Sequence, residues 1–335
     1  MNRDTSIQIK GIAILMMVWA HCFHTGWFAD LYKDISFMGD NLSSILTRLT
    51  RPVEFFIILS GYGLFCLFQK KNKIDILPRC LKLYSLYLLC FAIFIPIACL
   101  IKPETYPGTL ITFIENISMW KTSYNSTWWF LLPYFIILSL SNYIFKLYKD
   151  YSMLSICASA ILYFIGYCLS WLYAHAYFQI PYVLYQFNVV LMFLFPFILG
   201  SSIAKYDIVK RLRNWCCLKK NKFLFASVLF LIIVLRLSTS IDFILQIVYT
   251  IAIILSYSTL PQFYFKKKVL QLFGTHSTSI WFVHAFFNMY LFTNYVYAFK
   301  YPICIYVVCL CISLITGITI DKIHIKLWGY FSGNK

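Results

Sequence analysis

Residues 151–204 read YSMLSICASAILYFIGYCLSWLYAHAYFQIPYVLYQFNVVLMFLFPFILGSSIA, 54 consecutive positions without Asp, Glu, Lys or Arg. A helix crosses the apolar core of a bilayer with about 20 apolar residues. The stretch therefore holds two crossings, divided at 174–181, where His175, Gln179 and Pro181 read as a turn. The same search for charge-free runs finds ten spans in the chain. They are roughly Ser6 to His24, Pro52 to Gln69, Leu81 to Ile101, Trp128 to Phe145, Ser152 to Leu172, Tyr182 to Ala204, Phe223 to Thr239, Ile241 to Leu260, Thr278 to Ala298 and Tyr301 to Ile320.

Composition excludes a soluble fold. Of 335 residues 61% are apolar and 12% charged, with mean hydropathy +0.74, whereas soluble domains carry about 25% charged residues. So few charged groups cannot coat a water-facing surface, and lipid must be the solvent for most of it. The net charge of +17 suggests nucleic acid at first sight, but basic clusters between apolar runs are what inward-facing membrane loops look like. No nucleic-acid partner is expected. Most of the 12 cysteines sit inside apolar runs, where Cys is a small hydrophobe, so no disulfide framework is expected. The first apolar run lacks a small-residue cleavage site and carries two histidines, which argues against a removed signal peptide.

If the ten spans alternate, 22 of the 29 Lys and Arg fall on the N-terminal side of the membrane and 7 on the other. The inside bias of basic loops then puts both termini in the cytoplasm. The expectation is an all-α polytopic membrane protein, a bundle of about ten transmembrane helices. Residues 1–335 read as a single integral-membrane domain with no appended soluble domain, internal repeat or low-complexity segment.

Ionisable groups inside spans are costly, and each is a functional candidate. Lys10 lies at the inner end of the first helix, and His21 follows eleven residues later, about 16 Å along the axis. His24, one turn further, reads as a headgroup-level residue. The second span opens Arg51, Pro52, Val53, Glu54; Pro52 suits a first helical position, so Glu54 falls in the first turn at the outer end. Glu54 and His21 are then at similar depth, where a carboxylate can set an imidazole's tautomer. An Arg51 to Glu54 pair is the equal alternative. Ser60, Gly61 and Gly63 suggest close helix packing. Arg79 and Lys82 stand one turn apart at the inner mouth of the third helix, a geometry that can clasp phosphates. His284 is the remaining ionisable group within a span, and Arg236 with Asp242 reads as a pair across a short outer turn. No metal-ligand spacing, Gly-rich phosphate loop or Ser-His-Asp order is present.

Four segments in order resemble the membrane acyltransferase-3 family. Lys10 to His21 is similar to its Arg, ten residues, His signature. Glu54, Phe55, Phe56, Ile57, Ile58, Leu59, Ser60, Gly61 looks like its acid-Phe-Phe-x-x-Ser-Gly segment, as Trp128, Trp129, Phe130, Leu131 looks like its Trp-Phe-Leu segment. Ser277 to His284 resembles its late Ser-x-x-Ile-Tyr-Leu-x-His segment. Lys10 and Lys82 stand where the family usually has Arg, which keeps the charge and loses the planar fork; Trp281 replaces a common Tyr. The resemblance spans nearly the whole chain and implies ten helices in a bacterial inner (cytoplasmic) membrane.

It also implies transfer of an acyl group, most often acetyl, from cytoplasmic acyl-CoA to a hydroxyl of a surface polysaccharide or lipid-linked glycan. His21 acts there as general base or acyl carrier, with Glu54 orienting it. Lys10, Arg79 and Lys82 hold the donor. Ser60, Trp128, Trp129 and His284 are the further pocket candidates, and acetyl-CoA is a substrate rather than a resident cofactor. The competing reading is a transporter or flippase for a lipid-linked glycan or small anion, with His21, Glu54 and His284 as a proton relay. A structural membrane subunit is the third class, and it leaves His21 unexplained.

Overall fold

The computed structural model describes residues 1–24, 26–37, 39–175, 181–238, 243–261 and 263–331. The chain is helical almost throughout. Its helices are α1 Arg3–Phe23, α2 Leu42–Thr47, α3 Pro52–Lys71, α4 Leu77–Ile101, α5 Leu110–Ile117, α6 Leu131–Asp150, α7 Ser152–Ala174, α8 Tyr182–Lys205, α9 Ile208–Trp215, α10 Lys219–Ser238, α11 Phe243–Thr259, α12 Tyr264–Thr275, α13 Ser277–Ala285, α14 Thr293–Tyr297 and α15 Pro302–Phe331. One two-residue hairpin, β1 Ser36–Phe37 against β2 Asp40–Asn41, is the sheet among the described residues. This is an all-α polytopic membrane protein: eight helical segments are long and apolar enough to cross a bilayer. Helices dominate because backbone polar groups have no water to bond in hydrocarbon and must pair within the segment.

Two expected spans look different. The eighth is the shorter α11, 17 residues long. The ninth is interrupted: α13 gives way at Phe286–Tyr290 to a π-helical turn, and α14 follows separately. Neither Pro nor Gly breaks the chain there. Phe286 stacks on Phe94 with ring centroids 4.5 Å apart and meets the Trp128 ring edge-on, so tertiary packing sets the turn. The boundary expected at 174–181 falls partly on residues outside the described set, as do the join at Ser240 and the Asp242 partner proposed for Arg236.

The chain divides into two compact units. One comprises Met1–Ser6, Val53–Cys80 and Phe130–Gln262; the other Ile7–Pro52, Leu81–Trp129 and Phe263–Lys335. In the first unit α3 and α8 cross at glycines. A Cβ on Gly61 would lie 2.0 Å from the Phe197 carbonyl oxygen, and one on Gly200 2.0 Å from that of Ile58. Around this crossing Phe65, Phe145, Tyr148 and Phe197 form an aromatic core, with Phe145 stacked on Phe197. The Asn142 side chain bonds both the N–H and the carbonyl of Ile74, pinning the α3–α4 loop.

In the second unit α1 and the α12–α13 segment run side by side. A Cβ on Gly11 would meet the Leu270 carbonyl oxygen at 2.2 Å, and one on Gly274 that of Ile7 at 1.8 Å. Helix α15 runs antiparallel to α13, with Gly317 against Ile280; it is tied to α1 by Tyr306 Oη donating to the Leu15 carbonyl at 3.0 Å. In the long loop before α6, Tyr106 donates to the Tyr124 carbonyl and Tyr124 to that of Pro107. Burial raises both phenols above their ordinary range, which keeps them neutral donors.

The glycine crossing makes a sharp prediction. Gly274→Ala must push α1 off α12, and overpacking of that kind costs about 1–3 kcal/mol or more. A lower melting midpoint in detergent and a reduced folded yield are expected. Gly63, with open space where its Cβ would go, is the control: Gly63→Ala should be neutral or gain up to about 1 kcal/mol from helix propensity. Equal behaviour of the two variants would refute the close crossing.

Candidate active site

The site is built where α1 ends beside α13. Gly11 packs on Leu270 and Gly274; His21 lies ten residues beyond Gly11, and His284 ten beyond Gly274. Equal counts on two parallel helices bring the imidazoles to one level. His21 Nδ1 lies 2.6 Å from His284 Nε2, and the rings are parallel, 8° apart, with centroids 4.9 Å from each other. His21 is partly exposed and His284 is fully buried.

Their partners determine the proton positions. His284 Nδ1 lies 3.0 Å from the Ile280 carbonyl and 2.9 Å from that of Trp281. Carbonyls only accept, so Nδ1 carries the hydrogen and Nε2 is the acceptor. His21 Nδ1 must then donate to it, and His21 Nε2 keeps its lone pair. The pair therefore presents one base or nucleophile with its tautomer set by backbone.

Three further bonds hold α13. Trp281 Nε1 donates to the Thr127 carbonyl at 2.9 Å; Trp128 Nε1 donates to the Phe282 carbonyl at 3.1 Å, and the Asn125 amide reaches the same oxygen at 3.4 Å. Trp128 is fully buried against Tyr87, Phe282 and Phe286. It thus braces the His284 helix, and Trp129 beside it is partly buried. The indole N–H of Trp281 supplies a polar donor at this position.

Lys10, half-buried between Ile9 and Gly11, has no hydrogen bond or ion pair among the described residues. Arg79 and Lys82 lie exposed on the first two turns of α4. His24 is exposed.

Pro52 opens α3, and Glu54 in its first turn belongs to the first unit. With Val53, Ile57, Tyr163, Met192, Phe193, Pro196 and Gln246, Glu54 lines a cavity of about 30 Å³, room for a water molecule. Gln246 Nε2 donates to Tyr163 Oη at 2.6 Å. Pro196, inside α8, has no N–H to give the Met192 carbonyl. Ser60 Oγ lies 3.0 Å from Tyr134 Oη. Gly61 is the packing glycine of this segment and Gly63 is not.

Residues that sequence reasoning passed over lie near the start of α13. Asp321 of α15 lies 2.5 Å from His276 Nδ1 and accepts from Ser279 Oγ. His324 Nε2 lies 2.8 Å from Ser85 Oγ. The available signal was an acid and two histidines bordering apolar spans, hidden among lysines that read as topology.

Residues 6–322, nearly the whole chain, match the family model described as an acyltransferase domain. No curated protein and no solved structure matches the chain.

Proposed function

The chain belongs to the membrane acyltransferase-3 family, and from that premise we propose that it transfers an acyl group, acetyl foremost, from acyl-CoA to a hydroxyl of a surface polysaccharide or lipid-linked glycan. The observation that carries the proposal is the lone pair on His21 Nε2, oriented by a backbone-fixed His284. Two routes start from it. As a general base, Nε2 takes the acceptor's proton while the hydroxyl oxygen attacks the thioester carbon and CoA leaves as thiolate, which is then protonated. As a carrier, Nε2 attacks the thioester itself, expels the thiolate and passes the acyl group to the hydroxyl oxygen, whose proton ends on the thiolate.

On this reading the donor enters from the side of Lys10, Arg79 and Lys82, which the basic-residue split supports as cytoplasmic; the family implies that the membrane is a bacterial inner one. The test is acetyl-CoA-dependent thiol release by the protein in proteoliposomes, joined to mass analysis of surface glycan from cells with and without it. A radiolabelled acyl-protein trapped without acceptor, and lost with His21, identifies the carrier route. Its absence during turnover identifies the base.

Exposed cations on α4 should act on binding. Arg79→Ala combined with Lys82→Ala is expected to raise the KM for acetyl-CoA about tenfold with kcat nearly kept, and raised salt should mimic it in the wild type. Unchanged kinetics would reduce both residues to topology signals.

A further inference from the structure

The second unit carries a polar belt apart from the imidazole pair. Asp321 uses both carboxylate oxygens, one on His276 Nδ1 at 2.5 Å and the other on the Ser279 hydroxyl. Three residues along α15, His324 meets Ser85 of α4 at 2.8 Å, and Ser85 Oγ donates to the Lys82 carbonyl at 3.0 Å. Three stretches of chain, α4, α15 and the α12–α13 break, thus meet in hydrogen bonds. Gly274, two residues before His276, touches the backbone of Gly11, so Lys10 lies at this level too.

Bonds from Ser279 and one ring nitrogen suffice to tie Asp321 to the start of α13. A carboxylate only accepts, so His276 Nδ1 carries a hydrogen, and in that tautomer Nε2 is a lone-pair acceptor. The His276 and Asp321 side chains are each 19% exposed, and Lys82 is exposed.

Its depth is informative. His276 precedes His284 by eight residues, about 12 Å along a helix. On the acyltransferase reading, on which this inference rests, an acyl-CoA threads from the Lys82 end to His21. Its pantetheine arm carries two secondary amides and a hydroxyl, which cost free energy if buried without partners. The amide remote from sulfur lies roughly 9 Å from it in an extended arm of standard bond lengths. With the thioester at His21, that amide comes to the belt.

We propose that His276, Ser279, Asp321, His324 and Ser85 form a binding site for the pantetheine arm of acyl-CoA, with His276 Nε2 accepting from the remote amide N–H. Lys82 is then placed for the phosphates beyond.

The test uses three donors in proteoliposomes: acetyl-CoA, acetyl-pantetheine, and S-acetyl-N-acetylcysteamine, which ends after the first amide. Melting midpoints with CoA or pantetheine report binding without turnover. His276→Asn keeps a donor for Asp321 and shortens the reach; Asp321→Asn is the companion. For His276→Asn the ratio of kcat/KM for acetyl-pantetheine to that for the short thioester should fall about tenfold, through KM. The midpoint rise with pantetheine should disappear.

An unchanged ratio would overturn the assignment. So would an equal loss with all three donors, the mark of a brace, or a loss confined to acetyl-CoA, the mark of a phosphate contact. Should the wild type consume no donor while pantetheine still raises its midpoint and not that of His276→Asn, the acyltransferase reading falls and the arm site stands. No turnover together with no midpoint rise removes both.

Discussion

His21→Ala is expected to abolish acyl transfer, lowering kcat by about 10²- to 10⁴-fold, the usual cost of losing a general base. Folding should survive. The ring is partly exposed at the last turn of α1, and among the described residues it is hydrogen-bonded to His284. The packing that sets the helix lies ten residues away, at Gly11. Melting midpoint and yield near wild type, with thiol release and glycan acylation lost, is the expected result. Normal acylation of surface glycan in a His21→Ala strain would end the acyltransferase mechanism and favour a transporter.

The second large effect belongs to His284. Its ring takes the Nδ1–H of His21 because two carbonyls hold its own hydrogen on the opposite nitrogen. His284→Leu leaves the His21 Nδ1–H without an acceptor and frees the imidazole to exchange tautomers. A 10- to 100-fold fall in kcat, about what losing a ring-orienting partner costs, should follow, with KM for acetyl-CoA within about twofold. His284→Gln should recover part of the rate, since its amide oxygen can accept the same hydrogen. Equal loss in both variants would mean that the second imidazole itself moves a proton.

The bundle was legible because lipid is a strict solvent. Uncharged runs such as 151–204 have few options other than helices, and α7 and α8 occupy that stretch. His21 and His284 were legible as costly groups within spans. Their pairing was not: 263 residues separate them, and what aligns them is backbone contact at Gly11 and Gly274, whose small size does not announce a crossing. The break after His284 was hidden for a related reason, since Phe286 is turned by rings distant in sequence. Asp321 sits beside Lys322 past the last apolar run, where a charge ordinarily marks a membrane boundary.

The paired counts of ten residues act as a ruler. Between Gly11 and His21, the part-exposed Ile12, Leu15 and Met16 can be exchanged for other apolar residues while the two imidazoles stay in register. Length is another matter: removing or adding one residue turns everything beyond it by about 100° and slides it about 1.5 Å, sending one ring away from the other. Neither stretch should accept a change in letter count, so a library of single-residue insertions read by glycan acylation would show them as two silent windows.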